Sequence, residues 1–128
     1  MIWEVGNKAG KQNMSLKLDP AYEKNLNQAI NEYEKEDYLA SALIAARVII
    51  YILSKIEGKT DEEKIRFLQD RNIIEKDRED VKEFIIKASK KARNFFSHDI
   101  KIFADPSDTI GLLGDGVKLL KIWAKLQG

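Results

Sequence analysis

The chain has 128 residues, the usual size of one domain, and 44% of them are hydrophobic and 34% charged. This balance is typical of a folded protein and excludes a disordered one. A formal net charge of +1 excludes the globally basic surface that marks many nucleic-acid-binding proteins. The absence of cysteine excludes disulfides, thiolate metal sites and a cysteine nucleophile. With a single histidine we expect no structural zinc site, no other metal site and no cofactor.

Residues 1–18 show no helical or strand periodicity, so we expect a flexible N-terminal extension followed by one helical domain over residues 19–128. The extension lacks the apolar core of a signal peptide, and a cytoplasmic location is therefore expected. Asp19-Pro20 is typical of an N-cap followed by proline at the first helical position, and it predicts a helix to about Glu36. The predicted buried face of that helix is Tyr22, Leu26, Ala29, Ile30 and Tyr33.

The second predicted helix differs because it is apolar almost all round. Asp37 caps it, and it runs from Tyr38 to about Glu57 before Gly58. It is shorter than the roughly 20 residues of a membrane span and carries Arg47 in its middle, so we expect a core helix and no membrane. Arg47 is expected to be buried in a structural ion pair, and a place on the route to a functional cleft is the alternative. The excess apolar surface indicates a homodimer, because flanking helices alone would not cover it.

Three further helices complete the predicted domain. Thr60–Glu63 is a capping box for a short helix to about Arg71. Asp77 is expected to cap the next helix, and Asp105-Pro106 opens the last one. Glycines at positions 111, 114 and 116 predict either a kink there or close packing against a neighbour. No strand pattern is present, so the expected fold is an all-α antiparallel bundle of about four to five helices without a sheet.

The polar cluster Arg93-Asn94-Phe95-Phe96-Ser97-His98 closes the fourth helix. An imidazole can transfer a proton near neutral pH, and a guanidinium can grip a phosphate. Asn94 can orient either group. Arg93 and His98 are five residues apart, roughly 140° around an ideal helix, so they converge only if the helix loosens or if two chains share the site. A histidine at a helix end is otherwise often only a cap that complements the helix dipole.

Lysines surround this cluster and the last helix. Lys90 and Lys91 are candidate RNA-binding residues because they precede Arg93 in a basic run. The alternative is a solvated face that complements the dipole of the helix C-terminus. The lysines at positions 118, 121 and 125 more often belong to such a face.

Arg93-Asn94-x-x-x-His98, late in a small all-α chain and after a very apolar helix, resembles the signature of the HEPN domain (higher eukaryotes and prokaryotes nucleotide-binding). The order of elements from about Asp19 to Leu126 is also similar to a HEPN bundle. The resemblance implies a homodimeric, metal-independent endoribonuclease in which the motifs of both protomers face one cleft. Arg93 and His98 would then be catalytic and Asn94 would support them, and RNA cleavage would leave a 2′,3′-cyclic phosphate.

The resemblance also implies partners. Many such domains are toxins paired with a nucleotidyltransferase antitoxin, which in some pairs modifies a tyrosine two positions after the histidine. That position is Ile100 here, so this mode of control is not expected. Other HEPN domains have lost catalysis and act as interaction or nucleotide-binding modules, which is the alternative hypothesis.

Overall fold

The computed structural model describes residues 20–97 and 105–127, and every regular element in these two ranges is a helix. The predicted all-α bundle without a sheet is therefore confirmed for the part of the chain that is described. The expected extension over residues 1–18, the Asp19 cap, and the positions of His98 and Ile100 lie outside it. The helices are α1 (Pro20–Glu34), α2 (Tyr38–Lys55), α3 (Asp61–Asp70), α4 (Glu79–Ser97) and α5 (Pro106–Gln127).

Three helices begin where the sequence predicts, because a nearby side chain accepts hydrogen bonds from their first N–H groups. Asp37 accepts from the backbone N–H three residues later at 3.1 Å. Thr60 and Glu63 form the complete capping box, with the Glu63 N–H donating to Thr60 Oγ1 at 3.1 Å and the Thr60 N–H donating to Glu63 Oε2 at 3.2 Å. Asp105 accepts from the N–H of the third residue after it at 2.7 Å.

The start of α4 is the exception. The helix begins at Glu79, and the carbonyl of Arg78 accepts from the backbone N–H groups of Val81 and Lys82 at 3.2 and 3.3 Å. The predicted cap, Asp77, instead lies in the preceding turn, where its carbonyl accepts from the Glu79 N–H at 3.1 Å. The prediction of Asp77 as the cap is wrong by one position. Arg78 also clamps Asp80 with two hydrogen bonds of 2.9 Å, which fixes the side chains at this helix start.

Helix α2 is the centre of the bundle, since α1, α4 and α5 all pack against it. By length and composition it could cross a membrane, but the core helix of a folded domain meets the same criterion. Its contacts with three other helices are those of a core helix, as predicted. The small residues on its inner faces allow close approach of its neighbours. The buried apolar residues of α2 are Ala42, Ala45, Ala46, Val48, Ile49, Ile52 and Leu53.

One stripe of α2 faces outward, and it corrects the expectation for Arg47. Leu39, Leu43, Arg47 and Tyr51 are spaced four residues apart, so they lie along one side of the helix, and all four are exposed. Within the described residues Arg47 makes no ion pair. The prediction of a buried Arg47 is wrong because three neighbouring helices leave part of the α2 circumference open to solvent.

Helix α5 is continuous from Pro106 to Gln127, and one of its glycines sits at a close helix contact. A Cβ added at Gly116 would lie 3.1 Å from Leu26 Cδ2 and 3.9 Å from Ile49 Cγ1. Gly116 therefore lets α5 approach both α1 and α2. Of the two predicted roles for these glycines, a kink or close packing, Gly116 serves close packing. An alanine at this position would need Leu26 to shift by a few tenths of an ångström.

Candidate active site

The candidate residues of the motif stand on the last turns of α4. Arg93 and Asn94 are both exposed, and adjacent residues are about 100° apart around a helix, so they face different directions. His98 lies outside the described residues. The structure thus describes two of the three candidate catalytic residues, and it does not bring Arg93 and Asn94 onto one helix face.

The guanidinium of Arg93 points toward the start of α3. Its Nη2 donates to Asp61 Oδ2 at 3.3 Å, and its Nε donates to the Ser89 carbonyl at 3.3 Å. The Ser89 hydroxyl donates to the other carboxylate oxygen, Oδ1 of Asp61, at 2.9 Å. The three residues form a closed network that joins α3 to α4. We refer to Asp61, Ser89 and Arg93 as the α3–α4 network.

This network orients Arg93 without enclosing it. The Arg93 side chain keeps 62% of its surface exposed, whereas the Asp61 side chain is only 17% exposed. An ion pair with one partner in solvent contributes little to folding stability, typically about 0–1 kcal/mol. A guanidinium held in this way remains accessible to a phosphate, but an incoming anion has to compete with the Asp61 carboxylate.

Sequence reasoning missed Asp61 and Ser89 as neighbours of Arg93. A local signal did exist for each of them. Asp61 is the first residue after the predicted N-cap Thr60, and Ser89 precedes Arg93 by one helical turn. Nothing in the sequence linked the start of α3 to the end of α4, because that contact joins residues that are 32 positions apart.

The two candidate RNA-binding lysines differ in their surroundings. Lys91 Nζ lies 3.9 Å from Asp115 Oδ2 on α5, above Gly111, where an added Cβ would be 2.7 Å from the same nitrogen. Lys90 is exposed and has no ion pair within the described part of the chain. Lys90 also precedes Arg93 by three residues, so the two lie on neighbouring parts of the α4 surface. Lys90 is the better placed of the two to meet an anion beside Arg93.

Asp115 is an unusual counter-charge because it is half-buried. Burial raises the pKa of its carboxyl, and the attraction of Lys91 and Lys118 offsets this only in part. A carboxylate with a raised pKa is destabilising when it ionises, so this group lowers stability as the pH rises through its folded-state pKa. At 3.9 Å from Asp115 Oδ2, with its side chain exposed, Lys91 is only loosely held by this contact.

Exposed apolar side chains gather at the end of the bundle where α4 finishes. Lys118 Nζ lies 5.3 Å from the Phe84 ring and Lys91 lies near Asp115, so α4 and α5 run antiparallel and Phe96 is level with the start of α5. The hydroxyl of Thr109 donates to the Tyr38 carbonyl at 3.4 Å, which brings the start of α2 to the same end. The exposed residues there are Leu39 (47%), Leu43 (38%), Phe96 (47%) and Ile110 (51%).

A groove of about 580 Å³ lies at the opposite end of α4 from Arg93. It runs between the start of α4 and the second half of α5, and Phe84 and Ile122 supply part of its apolar floor. Lys118, Lys121 and Lys125 line it together with two acidic residues, Glu75 and Asp80. The lysines of α5 thus lie beside carboxylates and away from the motif, as the solvated-face interpretation requires.

Comparisons of the chain with models of protein families, with curated proteins and with solved structures gave no match. The candidate site therefore rests on the motif and on the geometry of Arg93 and its neighbours. Within residues 20–97 and 105–127, no three acidic or histidine side chains are grouped so that they could hold a metal ion.

Proposed function

We propose that the protein is a metal-independent endoribonuclease of the HEPN type that acts as a homodimer in the cytoplasm. The observation that carries the proposal is the state of Arg93, which heads the Arg-Asn-x-x-x-His motif. Its guanidinium is oriented by Asp61 and Ser89, yet 62% of the side chain is exposed. An arginine that is both oriented and accessible is suited to stabilising charge on a phosphate.

The proposed reaction uses the substrate's own 2′-hydroxyl. His98 takes the proton from that hydroxyl as its oxygen forms a bond to the adjacent phosphorus. The bond from phosphorus to the 5′-oxygen breaks, and an imidazolium, from His98 of either protomer, returns a proton to the leaving oxygen. The products are a 2′,3′-cyclic phosphate and a 5′-hydroxyl. Arg93 stabilises the additional negative charge on the phosphate oxygens, and Asn94 orients the imidazole or a phosphate oxygen.

A dimer supplies what one chain lacks. An ideal helix would separate residues five positions apart by about 140°, so Arg93 and His98 meet at one phosphate if the helix loosens or if two protomers share the site. We propose the second arrangement. The exposed apolar residues Leu39, Leu43, Phe96 and Ile110 lie at the same end of the bundle as Arg93. Burying them against a second copy would place both motifs at the interface. A nucleotidyltransferase-type antitoxin is the proposed protein partner of the dimer.

The test of catalysis is an RNA-cleavage assay in EDTA. Wild type is compared with His98→Ala and Arg93→Ala, and with Arg66→Ala as a control that removes an exposed arginine from α3. We expect wild type and the control to release fragments ending in a 2′,3′-cyclic phosphate, and both motif variants to be inactive while folded. Wild type that is inert on varied RNAs, or motif variants that cut equally well, would contradict the proposal.

The test of assembly uses two exposed residues of matched accessibility, Leu43 (38%) on α2 and Ile86 (37%) on α4. Light scattering coupled to size exclusion is expected to show a dimer for wild type and Ile86→Asp, and a monomer for Leu43→Asp. The reason is that only Leu43 lies at the end of the bundle that carries Arg93. A monomeric wild type, or equal behaviour of the two variants, would contradict the proposed interface.

A second candidate function is a catalytically silent binding module, and one observation favours it. Arg93 already has a carboxylate partner, Asp61, within its own chain, which is also what an ordinary structural ion pair provides. The same assay separates the two functions, since a silent module is folded and dimeric but cuts no RNA.

A further inference from the structure

Arg47 has no structural role that the fold explains. It is exposed in the middle of the most apolar helix and makes no ion pair in the part of the chain that is described. A groove of about 430 Å³ lies beside it, between the first turns of α1 and the second half of α2. This volume is within the range of small-ligand sites, roughly 300–1,000 Å³. The residues that line the groove include Tyr22, Asn25, Arg47, Val48, Tyr51 and Lys55.

The described lining of the groove carries two positive charges. Arg47 and Lys55 both line it, and none of the lining residues within 20–97 and 105–127 is acidic. Arg47, Tyr51 and Lys55 are spaced four residues apart, so they form one row along α2 that spans about 12 Å. This arrangement differs from the larger groove beside α5, where Glu75 and Asp80 accompany the lysines.

Three further features suit a phosphate with an attached ring. The start of α1 forms one wall, and a helix N-terminus adds positive potential there. Tyr51 is 55% exposed, so its ring can stack on a planar base. Val48, which is 3% exposed, provides an apolar floor. The groove therefore combines two cations, an exposed aromatic ring and an apolar floor, and its volume suits a small molecule.

We propose that this groove binds a phosphate ester, with Arg47 and Lys55 contacting the phosphate and Tyr51 contacting an attached base. The phosphate ester can belong to a free nucleotide or to an RNA chain. The site is separate from Arg93 and does not depend on the proposed cleavage reaction. It assigns a ligand-binding role to an arginine that the packing of α2 leaves exposed.

The experiment titrates the full-length protein with adenosine monophosphate, adenosine and inorganic phosphate by calorimetry and by amide chemical shifts. Adenosine monophosphate is expected to bind at least about tenfold more tightly than adenosine, because a charged hydrogen bond to phosphate is worth that much or more. The amide signals of Asn25 and Tyr51 are expected to shift. Equal binding of the nucleotide and the nucleoside, or no saturable binding at millimolar concentration, would overturn the proposal.

Variants locate the binding. Arg47→Gln and Lys55→Gln are each expected to raise the Kd for adenosine monophosphate about tenfold, whereas Arg66→Gln, a matched arginine on α3, leaves it within about twofold. Tyr51→Leu is expected to weaken the nucleotide but not inorganic phosphate. Arg47, Lys55 and Tyr51 are exposed, so circular dichroism should show all variants folded. A Kd unchanged in both charge variants would overturn the site.

A last measurement distinguishes a free nucleotide from an RNA chain as the source of the phosphate. It also tests the groove independently of the proposed cleavage reaction. A 2′-O-methyl oligonucleotide lacks the attacking hydroxyl and cannot be cut by the proposed mechanism. Tighter binding of this oligonucleotide than of adenosine monophosphate, weakened by Arg47→Gln and also seen in Arg93→Ala, identifies an RNA chain as the ligand of the groove. Tighter binding of adenosine monophosphate identifies a free nucleotide. The variant His98→Ala is expected to bind adenosine monophosphate as wild type does, even if no variant of the protein cuts RNA.

Discussion

Arg93 and Arg47 lie on helices that pack against each other, yet their surroundings are opposite. Arg93 stands 3.3 Å from a carboxylate, Asp61, and receives further support from the Ser89 carbonyl. Arg47 lies in a groove with a second cation, and no carboxylate is among the described residues that line it. An anion that approaches Arg93 must displace the Asp61 carboxylate or share the guanidinium with it. An anion that approaches Arg47 meets no competing carboxylate among the described residues. The environment of Arg93 favours a fixed orientation of the guanidinium, and the environment of Arg47 favours binding of an anion.

The largest expected effect is on RNA cleavage, when each of the two arginines is replaced by lysine. This replacement keeps the charge but removes the planar guanidinium. Arg93→Lys keeps the positive charge but cannot grip a phosphate with two parallel N–H groups, so RNA cleavage in EDTA is expected to fall at least about a hundredfold. Arg47→Lys is expected to leave the cleavage rate of a short RNA within about threefold. Equal losses in the two variants would place both arginines in one site and end the comparison.

Stability measurements test whether Arg47 is exposed and unpaired. Urea unfolding of Arg47→Ala should change the free energy of unfolding by no more than about 0.5 kcal/mol. Removing one partner of a buried ion pair would instead cost about 3–5 kcal/mol. As the internal reference, Ile49→Ala on the inner face of α2 is expected to cost about 2–5 kcal/mol, because Ile49 is fully buried.

The contribution of Asp61 is expected to be smaller. Asp61→Asn keeps an acceptor for the Ser89 hydroxyl but removes the negative charge beside Arg93. Binding of the 2′-O-methyl oligonucleotide is expected to tighten about threefold at low salt, and the gain should shrink as salt screens the charges. Glu62→Gln removes a charge from the same helix at an exposed position and serves as the control. Weaker binding in Asp61→Asn would show that orientation of Arg93 matters more than competition from the carboxylate.

The smallest expected effect concerns a third arginine, Arg78, which donates a hydrogen bond to each carboxylate oxygen of Asp80. Its two hydrogen bonds lower the pKa of the Asp80 carboxyl from 3.8 to about 2. Because the folded-state pKa is lowered, this pair adds stability above the unfolded value, and the contribution is lost as the pH falls from 3.8 towards 2. Carboxyl NMR titration is expected to give a pKa of about 2 for Asp80, and a value near the ordinary one in Arg78→Gln. An unchanged pKa in the variant would contradict this assignment.

The sequence predicted helix starts well where the decisive hydrogen bond is local. Asp37, Thr60 and Asp105 each cap a helix by accepting a bond from a residue three positions later. Asp77 failed as a predicted cap because the turn that contains it extends one residue further, so that α4 begins at Glu79. A one-residue shift of this kind depends on backbone geometry that composition does not encode.

The candidate site was predictable only in part. The motif drew attention to Arg93 and Asn94, which are exposed on the last turns of α4. It could not identify Asp61, which reaches Arg93 from another helix. It also could not predict that Lys91 would lie near Asp115 while Lys90 has no ion pair within the described residues. These contacts join residues that are distant in the chain, and pattern spacing carries no information on them.

The sequence by itself determined an all-α chain, the starts of three helices, the inner face of α1 and the central place of α2. It could do so because helical periodicity and capping act over three or four residues. Only the tertiary structure decided which part of the apolar helix α2 stays in solvent. Three neighbours cover most of its circumference, and the stripe that they leave open carries Arg47 between Leu43 and Tyr51. Exposure is a property of how helices are arranged around one another, and so the same arginine that composition assigns to the core lies at the surface.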